Sequence, residues 1–208
     1  MTIHSRIFAA VYDRQMAKTE ANGLRAMRSA LLAEACGDVV EIGAGTGANL
    51  ALYPDGLRSL TLTEPEGPML RKLEPRLTDR PLVPTVLRAP AEDLPFEDGV
   101  FDTAVSTLVL CGVDDQPRAL RELRRVLRPG GRLLFLEHVR SEDAKLARKQ
   151  DRMNPVNRFI AGCECNRSTT DTIAAAGFEV RTLDHAELPN APAFVRPLVF
   201  GTAIAPAG

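Results

Sequence analysis

The stretch VVEIGAGTGANL, residues 39–50, constrains this chain more than any other. Apolar, mostly β-branched residues flank one carboxylate, Glu41, and glycines follow at alternate positions, Gly43, Gly45 and Gly47. Such a run reads as a short buried strand ending in a tight turn, because glycine adopts left-handed backbone angles without strain. The residues after the turn read as the start of a helix. A strand, glycine turn and helix in that order form the ligand-cradling unit of an open α/β sheet, with the site beyond the C-terminal end of the strand.

The remaining periodicity fits that frame. Residues 3–35 carry apolar positions at helical spacing and predict two helices, the second ending near Cys36 and Gly37. Strands are expected at 39–42, 59–65, 84–90, 101–110, 132–139, 178–183 and 198–205, and helices at 48–53, 67–77, 115–128 and 168–176. RPGG, at 128–131, should terminate the third of those helices. The alternation indicates βαβ units and a doubly wound, mostly parallel seven-stranded sheet with helices on both faces. The last two strands have no helix between them, so they should pair as an antiparallel hairpin at the sheet edge. Residues 140–166 break the rhythm. We expect one domain over 1–208, with residues 1–37 as a helical cover and 140–166 as a substrate lid.

Composition excludes several partners. With 208 residues, 45% hydrophobic and 25% charged, and a net charge of −1, nothing favours nucleic acid or an anionic membrane. The basic positions Arg118, Arg121, Arg124, Arg125 and Arg128 have helical spacing and read as a solvated face. No apolar run approaches the roughly 18 residues of a membrane span, so no stable membrane insertion is expected. The N-terminus lacks a signal-peptide core, which predicts a cytoplasmic protein with reduced thiols. Cys36, Cys111, Cys163 and Cys165 match neither a disulfide framework nor a zinc motif, and no metal is expected.

Glu41 separates the ligands a glycine turn could hold. A carboxylate two residues before the turn repels a pyrophosphate and favours a cation through charge-assisted hydrogen bonding. S-adenosylmethionine carries an ammonium and a sulfonium and no phosphate. The plain alternative is that Glu41 pairs with a nearby Arg or Lys. Glu64 ends the second strand, 17 residues after Gly47, where an acid can take both ribose hydroxyls. That position serves nicotinamide cofactors equally, so it indicates adenosine without choosing the cofactor. A turn-capping role before Pro65 is its alternative.

The segments VVEIGAGTGANLALYP, LTEP, APAEDLPFEDGVFDTAVSTLVLCGV, LRELRRVLRPGGRLLFLEHVRS and GCECNRSTTDTIAAAGF together resemble the class I S-adenosylmethionine-dependent methyltransferases. Within them the chain is similar to the ubiquinone-methyltransferase-like group and to its thiol methyltransferases and their bacterial relatives. The likeness runs from about residue 8 to residue 204 and implies a Rossmann-like fold. It also implies that Glu41 and the backbone of Gly43, Ala44, Gly45 and Gly47, with Asn49, hold the methionine part of the cofactor. Glu64 would take the ribose, Pro65, Ala91 and Glu92 the adenine, and Thr107 and Leu108 the surroundings of the sulfonium. Tyr12 would close the pocket from the N-terminal helix. Pro90 stands where relatives carry Asp, and Glu164 and Cys165 depart from their GCHLNR pattern.

The donor in this chemistry is already activated, so the protein mainly aligns the acceptor and excludes water. No base dyad is evident, which favours a small-molecule thiol, already a few per cent thiolate at neutral pH, over an alcohol. His138 is the candidate base, at the ligand end of the fifth strand. Phe8, Cys111, Met153, Phe159 and Glu164 are the candidate substrate contacts. O- or N-methylation of a small molecule, quinone-like compound or phospholipid amine is the alternative chemistry. A nicotinamide oxidoreductase and a non-catalytic cofactor-binding regulatory module are the competing classes.

Overall fold

A computed structural model describes residues 13, 14, 16–77 and 82–206. Seven strands form one sheet: β1 (Asp38–Glu41), β2 (Ser59–Thr63), β3 (Thr85–Leu87), β4 (Phe101–Thr107), β5 (Leu127–His138), β6 (Glu179–Glu187) and β7 (Pro197–Ile204). Their order is β3-β2-β1-β4-β5-β7-β6. The pairs β1–β2, β2–β3, β1–β4 and β4–β5 are parallel. β7 runs antiparallel to both β5 and β6, so the expected hairpin forms the sheet edge. Strand order reverses between β1 and β4, the switch point at which doubly wound sheets bind ligands.

Helices among the described residues include α1 (Arg25–Leu32), α2 (Gly67–Leu73), α3 (Gln116–Val126), α4 (Ala144–Ala161) and α5 (Thr169–Ala175). Both faces of the sheet are covered, which explains strands apolar at consecutive positions rather than alternate ones. On β5, Leu133 and Phe135 join Leu120, Leu123 and Ile173 in one core. Leu134 and Leu136 enter the opposite core with Leu31, Leu32, Val105 and Leu198. α3 shows the local logic. Asp115 caps it by accepting the Arg118 N–H at 2.9 Å, and Ala119, Leu120, Leu123 and Val126 form its buried stripe. Two of its basic residues are held within the chain, Arg125 by Glu122 and Asp98 and Arg124 by the Pro206 carbonyl at 2.6 Å, and Arg128, at the start of β5, pairs with Asp38 and Asp102.

Three expectations need correction. Residues 48–53 form no helix; only a short 3-10 turn, Leu50–Leu52, follows the glycine loop before Pro54. RPGG ends no helix by itself. α3 stops at Val126, and the motif lies inside β5, where the β4 register shifts between Phe101 and Thr103 and Gly130 takes φ +79°. The glycines thus let the strand bulge and continue. Residues 140–166 are no irregular segment either. They contain α4, capped by Asp143 on the N–H groups of Lys145 (2.9 Å) and Leu146 (2.8 Å) and stopped by left-handed Gly162.

Candidate active site

Three glycines at alternate positions build the turn after β1, with φ of +56° at Gly43, +56° at Gly45 and +86° at Gly47. Gly43 is also a packing requirement: a Cβ there would lie 2.6 Å from Val109 Cγ1, so the loop after β4 rests on the turn. A Cβ at Gly45 would meet nothing closer than the Gly43 carbonyl at 3.9 Å. Gly45 is therefore the position where the backbone stays open to a ligand. Beyond the turn, Thr46 donates its hydroxyl to Asp13 at 2.6 Å, and Arg76 reaches both Asp13 and the Thr46 carbonyl. The N-terminal segment is thereby tied to the loop one residue past Tyr12.

Glu41 is only 3% exposed. Asn49 Nδ2 donates to its Oε1 at 2.9 Å and Tyr53 Oη to its Oε2 at 2.6 Å. Arg28, also buried, donates through Nη1 to Asn49 Oδ1 at 3.0 Å and to Thr107 Oγ1 at 2.5 Å, and pairs with Glu20 at 3.1 Å. Asn49 Nδ2 also reaches Thr107 Oγ1 at 2.9 Å. Burial pushes the Glu41 carboxyl up, while Tyr53, Asn49 and the nearby Arg28 charge oppose that rise. Asn49 and Tyr53, on the short turn after the glycines, roof the carboxylate over. The arginine alternative is not met in its simple form, since Arg28 donates to Asn49, a partner of Glu41, and not to Glu41 itself.

Glu64, at the end of β2, is 5% exposed and accepts the Gly45 N–H at 2.9 Å and the Glu66 N–H at 2.8 Å. Burial raises its pKa as well. A carboxylate has about four lone-pair sites, and two backbone donors leave room for two hydroxyls. Pro65 follows, its carbonyl accepting from Arg88 at 2.9 Å, and Ala91 is buried. Glu92 is half-buried beside the entry to α3. Its Oε1 accepts the N–H groups of Asp114 (2.8 Å) and Asp115 (3.3 Å), so it caps the entry to α3.

The end of β4 carries the next elements. Thr107 is buried in the Arg28 network, and Leu108 takes a left-handed φ of +61°. His138, at the end of β5, is buried. Burial lowers its pKa to about 4, its ring meets the backbone at Val195 and Pro197, and Nδ1 has no hydrogen-bond partner among the described residues. Cys111 is 1% exposed, and a hydrogen bond to the Cys163 thiol together with burial pushes it well up, which argues for packing over nucleophilic chemistry.

The remaining substrate contacts are scattered. Glu164 is consumed by ion pairs with Arg158 and, at 2.8 Å, Arg167, so it is no free contact. Met153 on α4 is half-buried, and Phe159 is 76% exposed and walls no closed pocket. Tyr12 and Phe8 lie outside the described residues. A cavity of about 550 Å³ lies elsewhere, between Arg140–Asp143, the start of α5 and His185 on β6, and it contains none of the glycine-loop residues.

Reading the sequence missed Arg28, Tyr53 and Glu137. Two of them left a signal. Arg28 stands on the apolar stripe of α1 with Leu24, Leu31 and Leu32, and Glu137 interrupts the apolar run of β5. A charge at a core position is rarely idle.

A doubly wound sheet with a glycine turn and two buried acids at its switch point defines a nucleoside-binding α/β enzyme site without a phosphate cradle. Comparison with known proteins narrows the class. The methyltransferase domain model matches residues 40–135. Human thiol S-methyltransferase TMT1A is 31% identical over 202 residues, covering 95% of this chain and 82% of that protein. The ubiquinone/menaquinone biosynthesis C-methyltransferase UbiE of Idiomarina loihiensis is 35% identical over 118 residues, 54% of this chain and 47% of that protein. Among solved structures, an S-adenosylmethionine-dependent methyltransferase of Thermotoga maritima superposes with a TM-score of 0.71 at 22% identity, over 97% of this chain and 98% of its own. The chain belongs to the S-adenosylmethionine-dependent methyltransferases, in the group that holds the ubiquinone and thiol methyltransferases.

The residues fit that cofactor: open space beside Gly45, spare acceptors on Glu64, and the Glu41 carboxyl behind the turn. No helix among the described residues is long and apolar enough to cross a membrane.

Proposed function

We propose that this enzyme methylates the sulfur of a small-molecule thiol. The observation that carries the reading is the likeness to a thiol S-methyltransferase along 95% of the chain. S-adenosylmethionine, when bound, supplies an activated methyl group that an acceptor takes by in-line displacement. The backbone of Gly43, Ala44, Gly45 and Gly47 would hold its amino-acid end, Glu64 its ribose, and Pro65 and Ala91 its adenine. Glu41 acts through Asn49, which it orients, and keeps the turn at negative potential. α1 and residues 140–166 shape the acceptor site.

The state of His138 supports sulfur. An imidazole with a pKa of about 4 is a poor base. Moving a proton to such a base from an alcohol, a far weaker acid, costs much more than moving one from a thiol of pKa about 8.5. A thiol near neutral pH is in any case partly ionised and dispenses with the base. A reducing, cytoplasmic setting agrees with four free cysteines.

The test is a panel of thiol, phenol and amine acceptors scored by methyl transfer. Thiols should react, with a rate at subsaturating acceptor that rises with pH toward about 8.5, the acceptor's own pKa. A strict preference for phenols or amines overturns the choice of sulfur and favours O- or N-methylation.

A further inference from the structure

We propose that Glu137 is a positioning residue that holds the turn after β4 in its cofactor-binding shape, an inference that rests on the cofactor placement given above. Glu137 is fully buried on β5, beside the end of β4. Its Oε1 accepts the Ser106 hydroxyl at 2.6 Å and the Val109 N–H at 3.1 Å; its Oε2 accepts the Cys111 N–H at 3.2 Å. The Leu110 N–H also turns toward it. Consecutive backbone N–H groups converging on one anion form a nest, and a nest needs a left-handed residue to bend the chain. Leu108 supplies it at φ +61°, though it is a leucine and not a glycine. A strained residue persists where its surroundings over-determine it.

The surroundings here do so from two sides. Glu137 takes the donors of the turn. Arg167 takes the Leu110 and Val113 carbonyls at 2.8 and 2.7 Å, and the Glu164 N–H takes the Cys111 carbonyl at 2.8 Å. An ionised carboxylate is acceptor-only, with two oxygens to share among several donors, and no neutral side chain of similar size offers that. The turn in turn carries Val109, whose methyls would meet a Cβ on Gly43 at 2.6 and 2.7 Å. Any shift of the turn is therefore passed directly to the glycine loop. Glu137 sets the position of Leu108 and of the wall on which the cofactor turn rests, without touching the cofactor itself.

Glu137→Gln keeps the shape but points an amide donor at backbone donors. Calorimetry with S-adenosylhomocysteine should show a dissociation constant raised at least about tenfold, the scale of a lost charge-assisted hydrogen bond. The comparison is Val126→Ala, a buried cavity variant at the far end of the sheet, which should lower Tm but bind within about twofold of wild type. Wild-type affinity for a folded Glu137→Gln overturns the proposal. Should Glu64→Ala weaken binding while Glu137→Gln does not, this inference falls and the cofactor placement stands; if neither weakens it, the placement falls too. A second measurement covers a Gln variant that does not fold. In the wild type, the Val109 and Cys111 amides should exchange slowly with deuterium, and more slowly with S-adenosylhomocysteine bound. Exchange at the rate of an open loop overturns the proposal.

Discussion

At the N-terminal end of the sheet, Asp38 and Asp102 face Arg58 and Arg128 near the surface; at the C-terminal end, Glu41, Glu64 and Glu137 are buried, mostly among neutral donors. The first set is an ion-pair cluster, with Arg58 2.7 Å from Asp38 and Arg128 2.6 Å from Asp102. The Ser59 hydroxyl and Arg128 hold Asp38 below the ordinary carboxylate range. At Asp102, partial burial is outweighed by the Asp38 N–H and Arg128. In the second set, burial raises all three carboxyls. Exposed pairs are screened and contribute little, whereas buried acids that stay costly to ionise mark a working site. Both ends carry acids, and desolvation distinguishes ligand machinery from surface glue.

The sharpest way to break this contrast is Glu41→Ala. It leaves Asn49 and Tyr53 without their acceptor and removes a buried charge near Arg28, and urea unfolding should show a loss of about 3–5 kcal/mol, typical of a broken buried charge network. A loss near zero would put Glu41 with the surface acids. Glu64→Ala comes next: S-adenosylhomocysteine affinity should fall about 10- to 100-fold, or roughly 1.4–2.7 kcal/mol, and equal binding would reject the ribose assignment.

Acidity sharpens the comparison by sign. The folded pKa of Glu64 is raised above its ordinary 4.5, so the folded state holds the proton longer and wild type loses stability as pH climbs through that raised value. Glu64→Gln should therefore gain on wild type between pH 4.5 and 7 in urea midpoints. Asp102 behaves oppositely. Its stabilisation is present above its ordinary 3.8 and is lost as pH falls through the lowered folded value. Asp102→Asn should cost less than about 1 kcal/mol at neutral pH, and the difference should vanish in acid. The smallest effect is Phe159→Ala. At 76% exposure it should leave stability within about 0.5 kcal/mol, and a raised KM for an apolar thiol would be its only kinetic trace.

Much of the fold was legible because the signals are local. Apolar runs bounded by glycine and proline marked all seven strands, and the helix-free gap before β7 marked the antiparallel hairpin. The errors lay where tertiary pairing overrode a local rule: RPGG bulges a strand because Phe101 and Thr103 of β4 pair around it, and residues 48–53 are too short between Gly47 and Pro54 for a helix. For the site, the glycines and Glu64 were readable from spacing. Arg28 and Glu137 were visible as charges in apolar stretches, but the groups they meet lie up to 79 residues away in sequence.

The order of residues by itself determined the doubly wound sheet, the glycine turn and the presence of acids at the strand ends, since each follows from periodicity and backbone freedom within a few neighbours. Only the tertiary structure decided which of those acids are desolvated, that Asn49 and Tyr53 enclose Glu41, and that Glu137 gathers the backbone of the turn after β4. Solvation and hydrogen-bond pairing depend on what the rest of the chain brings within about 3 Å, and residue order sets no such distance directly.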